Sequence, residues 1–317
     1  MTGFRILNAM RVDTCPEALD AFEGIGTVDT VPGSSAAVAA RIADYDAYLA
    51  ALEVRFDRDM VARAKRLKVI GSPSTGTDHF DLAAIDAAGI KRFDISKELE
   101  LIRSFTATSE LGFALALNVN RRIIPAVRSV FDGGWGREAY TGFQFSGKVF
   151  GILGLGRLGT ISSRLAQGFG MRTIAYDVRP VSAPGVEIVD FDTVFRESDV
   201  LSIHVHLNDS TRGLVDRQAL ALMKPTAILV NTSRAQIVNE DGLLDALESG
   251  RLAGAGLDII DGEWDKDVSR NRLVEYARSH DNVVITPHIG GATHESINGA
   301  RIFMARKVAD YLRSLKS

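Results

Sequence analysis

A glycine-punctuated stretch near the middle of the chain constrains the fold more than any other: Lys148-Val149-Phe150-Gly151-Ile152-Leu153-Gly154-Leu155-Gly156-Arg157-Leu158-Gly159. A short apolar run feeds glycines spaced G-x-G-x-x-G, and an amphipathic pattern from Thr160 to Ala166 follows at once. Strand, tight turn and helix in that order are what a dinucleotide-binding βα unit requires. Gly154 permits the turn, Gly156 lets backbone approach a pyrophosphate, and Gly159 lets the helix pack closely on the strand. The helix N-terminus is then aimed at the phosphates. After a second apolar run, Thr173 to Tyr176, comes Asp177, about 20 residues past the glycines, where a carboxylate accepts hydrogen bonds from both ribose hydroxyls. That carboxylate would repel a 2′-phosphate, so NAD is expected over NADP. Arg179, close behind it, weakens the preference without reversing it.

With 317 residues the chain can hold two domains of ordinary size, each with its own core. The net charge of −3 is spread over mixed acids and bases, which implies neither nucleic acid nor a membrane surface as a partner. Cys15 is the only cysteine, so an internal disulfide and a cysteine-based metal site are both excluded. Residues Met1 to Arg5 lack the apolar core of a signal peptide, and no apolar run approaches the ~20 residues of a membrane span. A cytoplasmic protein is the expectation.

Strand-like and helix-like runs alternate along the chain, which argues for parallel, doubly wound sheets. One run, Lys68 to Gly71, delivers Ser72-Pro73-Ser74-Thr75-Gly76-Thr77-Asp78 to its C-terminal end, where open α/β sheets place ligands. There Gly76 is expected to free backbone amides for an anion, and Asp81 to cap the helix that follows. Thr106 to Leu117 is nearly apolar all round and reads as a buried helix. His204 and His206 stand on a predicted strand, Asp199 to Leu207, and would share one face. No third ligand lies at suitable spacing, so no metal is expected. Three later strands end successively at Arg234, at Asp258 with Glu263, and at His288.

An arginine, a carboxylate and a histidine at strand ends beside a nicotinamide site suggest oxidation or reduction of a substrate that bears a carboxylate. Arg234 can grip that group with two parallel charge-assisted hydrogen bonds, which fixes the neighbouring carbonyl. An imidazole ordinarily titrates near neutrality, so His288 suits giving a proton to the carbonyl oxygen or taking it back. Glu263, bonded to that ring, would hold its tautomer.

These motifs, with Asn231-Thr232-Ser233-Arg234, Gly256-Leu257-Asp258 and Thr286-Pro287-His288-Ile289-Gly290-Gly291, resemble the D-2-hydroxyacid dehydrogenases. The resemblance extends to Thr75-Gly76-Thr77-Asp78 and so spans nearly the whole chain. It implies an α/β subunit of two doubly wound parallel-sheet domains. A Rossmann NAD domain, residues 98–292, is inserted into a flavodoxin-like substrate domain, residues 1–97 and 293–317, with a cleft between them and a homodimer built through the NAD domain. It further implies that Arg234 binds the substrate carboxylate, His288 is the acid/base and Glu263 its partner. Asp258 would bind the nicotinamide carboxamide, the Arg157 and Leu158 amides the pyrophosphate, Thr211 and the Thr232 backbone would contact the cofactor, and Ser74, Thr75 and Gly76 the substrate.

Three positions depart from the family pattern. Trp264 follows the glutamate where proline is common, His206 stands at another frequent proline, and Ala235 replaces the usual glycine after the arginine. The expected activity is hydride transfer between NAD(H) and a small 2-keto or D-2-hydroxy acid. Phosphoglycerate, hydroxypyruvate, glyoxylate and aliphatic 2-keto acids all remain open. No added C-terminal regulatory domain is expected, and formate dehydrogenases differ by having glutamine in place of the glutamate. An NAD-responsive, corepressor-like binding protein on the same scaffold is the alternative.

Overall fold

The computed structural model describes residues 3–265 and 267–316. The leader reading rests partly on Met1 and Thr2, which lie outside them, as do Lys266 and Ser317. The chain forms two units, Met1–Phe105 with Thr293–Ser317, and Thr106–Ala292.

The first unit is a five-stranded parallel sheet of order β2-β1-β3-β4-β5. Its elements run β1 (Phe4–Asn8), α1 (Pro16–Asp20), β2 (Gly26–Thr30), α2 (Ser35–Ala39), β3 (Ala47–Leu49), α3 (Arg58–Arg63), β4 (Val69–Gly71), α4 (Leu82–Ala87), β5 (Lys91–Phe93) and α5 (Leu99–Arg103). This is the flavodoxin-like strand order. Parallel strands need crossovers, and helices on both faces bury β3 and β4 completely, which is why those strands are apolar at successive positions. Tyr48, Phe56 and Ile70 pack on one face. Ile6, Leu49 and Val69 pack on the other with Met304, Val308 and Leu312 of the last helix, His294–Ser314. The crossing to the second unit falls after Phe105, later than the expected Lys97, because α5 sinks Ile102 into this same core.

The second unit opens with α6 (Ala107–Arg121) and α7 (Ile123–Phe131). It continues β6 (Val149–Leu153), α8 (Arg157–Gly168), β7 (Arg172–Tyr176), β8 (Val186–Ile188), α9 (Phe191–Glu197), β9 (Val200–Ile203), α10 (Arg217–Leu222), β10 (Ile228–Asn231), α11 (Glu240–Glu248), β11 (Gly254–Leu257), α12 (Arg272–Ser279) and β12 (Val283–Ile285). Its seven strands are parallel and ordered β12-β11-β10-β9-β6-β7-β8. That is the Rossmann arrangement with an added edge strand, and the strand order reverses between β6 and β9. Side chains alternate between two cores: Leu229 joins Leu201 and Ile203, while Ile228 and Val230 join Ile152 and α6. The helix break at Arg122, which takes φ 46°, separates α6 from α7. No residue of α7 is buried, and Ile123, Ile124, Val127, Val130 and Phe131 all stand exposed.

Candidate active site

The glycine turn lies at the switch point, where the sheet splits its crossovers and leaves a crevice. Gly154 has φ +99°, and a Cβ there would stand 2.7 Å from Val205 Cγ1. A Cβ on Gly159 would stand 2.3 Å from the Gly154 carbonyl oxygen, so any side chain would push α8 off the strand. Gly156 occupies the N-cap of α8 and supplies no side-chain cap. The first amides of α8, those of Arg157 and Leu158, therefore have no side-chain acceptor from the cap residue, the arrangement an anion completes.

At the end of β7, Asp177 is held from every side. Its Oδ1 accepts from Arg179 N at 2.9 Å and Arg179 Nε at 3.0 Å, and its Oδ2 from Leu155 N and Arg179 Nη2, both at 3.0 Å. The Arg179 side chain, foremost among these donors, holds the carboxyl below its usual range. The side chain of Asp177 is 5% exposed against 64% for Arg179. Nothing in the spacing of these residues announces a bidentate pair.

The ends of β10, β11 and β12 carry the rest of the expected site. Adjacent strands lie about 4.8 Å apart, so two strand spacings of roughly 10 Å separate the backbones that carry Arg234 and His288. Asn231, buried at the end of β10, shapes the first of these turns: its Oδ1 accepts from Ser233 N and its Nδ2 donates to the Arg234 carbonyl. Ser233 Oγ ties the same turn to β9 through the Ile203 carbonyl at 2.8 Å. Arg234, half-buried, donates from Nη1 to the Ser233 carbonyl at 2.8 Å.

His288 takes φ 53°, a left-handed conformation that costs a non-glycine residue roughly 1–2 kcal/mol. Asp258 holds it there. The carboxylate, 1% exposed, accepts from Thr286 Oγ1 at 2.6 Å, Ile289 N at 2.9 Å and Gly290 N at 2.7 Å, while its carbonyl accepts from His288 N at 2.8 Å. Sequence reasoning, which gave Asp258 to the nicotinamide carboxamide, missed this. Its clue was the run of donors from Thr286 to Gly290 after the strand.

Glu263 Oε2 lies 2.7 Å from His288 Nδ1. A carboxylate only accepts, so Nδ1 carries the proton and Nε2 is the atom left to change protonation. The Trp264 ring lies 5.5 Å from the imidazole, tilted 31° to it, and is half-exposed.

Other expected residues fare differently. β9 ends at Ile203, so His204 and His206 lie past the strand rather than on one of its faces, although His204 N still donates to the Leu153 carbonyl at 2.8 Å. His204 Nε2 lies 2.9 Å from Ser202 Oγ, and burial pushes the ring down to about 4, so it is neutral. His206 is lowered by burial and by the nearby charges of Arg234, Arg179 and Arg157. Among the described residues no group of three metal-ligating side chains occurs. Thr211 spends its hydroxyl on its own turn, donating to the His206 carbonyl at 2.6 Å. Thr232 is buried, and its Oγ1 has no hydrogen-bond partner among the described residues. In the first unit, the Ser72–Asp78 loop follows β4 as expected, but Gly76 N donates to Ser74 Oγ at 3.0 Å, so that amide is not freed for an anion. Thr75 lies between them in the same turn. Asp81 caps α4 through Ala84 N.

The glycine cradle, the uncapped start of α8 and the orphaned Thr232 hydroxyl fit a dinucleotide. Two parallel α/β units with a histidine–glutamate pair and an arginine at neighbouring strand ends define a nucleotide-dependent oxidoreductase. A family model, D-isomer specific 2-hydroxyacid dehydrogenase, NAD binding domain, matches residues 113–290. The chain belongs to that family and is an NAD-dependent enzyme of it. It is 34% identical over 286 residues to a glyoxylate reductase of Thermococcus litoralis, covering 86% of this chain and 82% of that one. It is 35% identical over 268 residues to a hydroxypyruvate reductase of Thermotoga maritima, covering 84% and 85%. The fold resembles D-lactate dehydrogenase from Aquifex aeolicus, solved with NAD and lactic acid, with a TM-score of 0.86, 23% identity, and 98% and 96% of the chains covered. No helix among the described residues is long and apolar enough to cross a membrane.

Proposed function

We propose that this enzyme reduces a small 2-keto acid of the glyoxylate or hydroxypyruvate class to the D-2-hydroxy acid, and runs the reverse reaction when the acid is in excess. The single observation that carries the proposal is the Glu263–His288 bond at 2.7 Å, beside the strand end that bears Arg234. Bound NADH supplies the hydride. Arg234 binds the substrate carboxylate and so orients the adjoining ketone. His288 Nε2 faces the ketone oxygen and donates a proton as the alkoxide develops. Glu263 keeps the proton on Nδ1 and stabilises the imidazolium in the reverse direction, and Asp258 holds the loop that carries the ring. Leu158 and Arg157 amides bind pyrophosphate, with Gly154, Gly156 and Gly159 making room, while Thr211, Thr232 and Asp177 lie along the dinucleotide path. Ser74, Thr75 and Gly76 belong to the substrate loop by family resemblance, in a substrate domain formed by the first unit.

The test is loss of NADH absorbance with a panel of 2-keto acids. Turnover on glyoxylate or hydroxypyruvate is expected; tight NADH binding without turnover on any of them would favour the corepressor-like alternative. We further place the enzyme in the cytoplasm as a homodimer. A single cysteine, buried and free, suits a reducing compartment. The bare apolar face of α7 supports a dimer, since monomers seldom expose such a stripe. Val127→Glu should shift the sedimentation coefficient to that of a monomer, and an unchanged value would remove α7 from the interface.

A further inference from the structure

The carboxylate expected to read the adenosine ribose has no lone pair left to read it with. A carboxylate offers about four acceptor sites. On Asp177 they are filled by Arg179 N, Arg179 Nε, Leu155 N and Arg179 Nη2. What the turn presents outward is the guanidinium: its side chain is 64% exposed, against 5% for the acid beneath it.

The direction of that guanidinium matters as much as its exposure. A guanidinium has two edges that can each make paired hydrogen bonds. The side edge, Nε with Nη2, is used on Asp177. The end edge, Nη1 with the second proton of Nη2, makes no hydrogen bond among the described residues. Nη2 lies 3.9 Å from where a Cβ on Gly156 would stand, so the head group lies along the glycine turn whose helix start receives the pyrophosphate. A ribose bound through that pyrophosphate brings its 2′-position to this corner. Charge points the same way. The acid alone would repel a 2′-phosphate, but the pair is neutral and turns its positive end outward. Burial, with the charges of Arg234, Arg179 and Arg157, lowers the pKa of the neighbouring His206. A phosphate arriving at this corner therefore meets the Arg179 guanidinium before the acid beneath it.

We propose that Arg179, braced by Asp177, sets dinucleotide choice in this enzyme by offering its end edge to a 2′-phosphate, so that NADP(H) is accepted alongside NAD(H). The inference rests on the dinucleotide lying along the glycine turn and is independent of which keto acid is reduced. Two residues of one short turn act as a unit, in which the carboxylate serves to hold the arginine. NADH still binds through its pyrophosphate, and the guanidinium can donate to a ribose hydroxyl.

Isothermal titration of NADH and NADPH into the wild-type enzyme, without keto acid, tests it directly. The two affinities should agree within about tenfold, because one charge-assisted pair offsets the loss of a carboxylate–ribose contact. In Arg179→Gln, NADPH binding should weaken by about ten- to a hundredfold, the worth of hydrogen bonds to a charged group. NADH binding should hold or tighten, because the Asp177 oxygens open to the ribose. Arg179→Lys, a cation without the fork, should fall between. Circular dichroism of each variant controls for folding. Wild-type binding of NADPH more than about a hundredfold weaker than NADH would overturn the proposal, as would an Arg179→Gln variant that weakens both dinucleotides alike. Failure of every keto acid to turn over would leave these affinities untouched and would count against the proposed reaction alone.

Discussion

Glu263 with His288 and Asp177 with Arg179, two of the carboxylate pairs in the second unit, differ in what they can exchange. Glu263 touches His288 through one bond, at 2.7 Å, and the ring's other nitrogen is left to trade a proton. Asp177 touches Arg179 through backbone and side chain together, and a guanidinium keeps its proton at any working pH. One pair rides on a left-handed residue fastened by the buried Asp258; the other lies on an exposed turn. The contrast teaches that an ion pair seen in a crevice is not by itself a sign of acid–base chemistry. A titratable partner with one nitrogen unspent suits proton transfer, and a permanently charged one suits recognition.

The contrast can be broken most forcefully at His288. His288→Gln keeps the size of the side chain but cannot carry a proton, so kcat should fall by about 10²- to 10⁴-fold while NADH affinity survives. Stopped-flow and equilibrium binding on the same preparation separate the two; a kcat near that of wild type would reassign the proton donor. Glu263→Gln removes the charge and keeps the shape, and kcat should drop by about ten- to a hundredfold, the worth of a charge-assisted bond. If only KM moved, Glu263 would be a binding residue instead.

A double-mutant cycle sharpens the comparison. Combining Glu263→Gln with Asp177→Asn should give effects on kcat/KM that add to within about 0.5 kcal/mol, as for independent sites. A larger coupling energy would make the two pairs one network. The smallest effect concerns acid stability. The folded Asp177 titrates below its unfolded value, so in the window below about 3.9 the unfolded chain binds more protons. The stability this pair contributes is present above that value and is lost as pH falls through the folded pKa. Asp177→Asn should therefore lose less stability than wild type between about pH 4 and pH 3 in denaturant titrations; parallel losses would mean the pair contributes nothing to acid lability.

Much was legible along the chain because the relevant physics is local. The glycine spacing sets a turn and a helix start, apolar runs at successive positions mark strands covered on both faces, and a strand's end can be read from where its apolar run stops. Arg234, Glu263 and His288 follow three strands that turn out to be neighbours. Where local pattern misled, a contact or a strand end that spacing alone does not reveal had decided the outcome. His204 and His206 looked like a strand pair, yet β9 ends at Ile203, before both of them. Gly76 looked open to an anion, but the nearby Ser74 hydroxyl claims its amide. The hold of Asp258 on the loop from Thr286 to Gly290 was not legible, because only the pairing of β11 with β12 brings those donors near.

By itself, then, the amino-acid sequence determined the order of strands and helices, the place of the nucleotide turn and the identities of the residues at the strand ends, since each depends on side-chain type and spacing over a few residues. Only the tertiary structure decided the strand order, the bond that joins Glu263 to His288 and the number of donors gathered on Asp177. Hydrogen-bonding capacity is the physical reason. Whether a carboxylate has a lone pair left depends on every donor that folding brings within about 3 Å of it, and on Asp177 these are three from the neighbouring Arg179 and one from Leu155 on the preceding strand's turn.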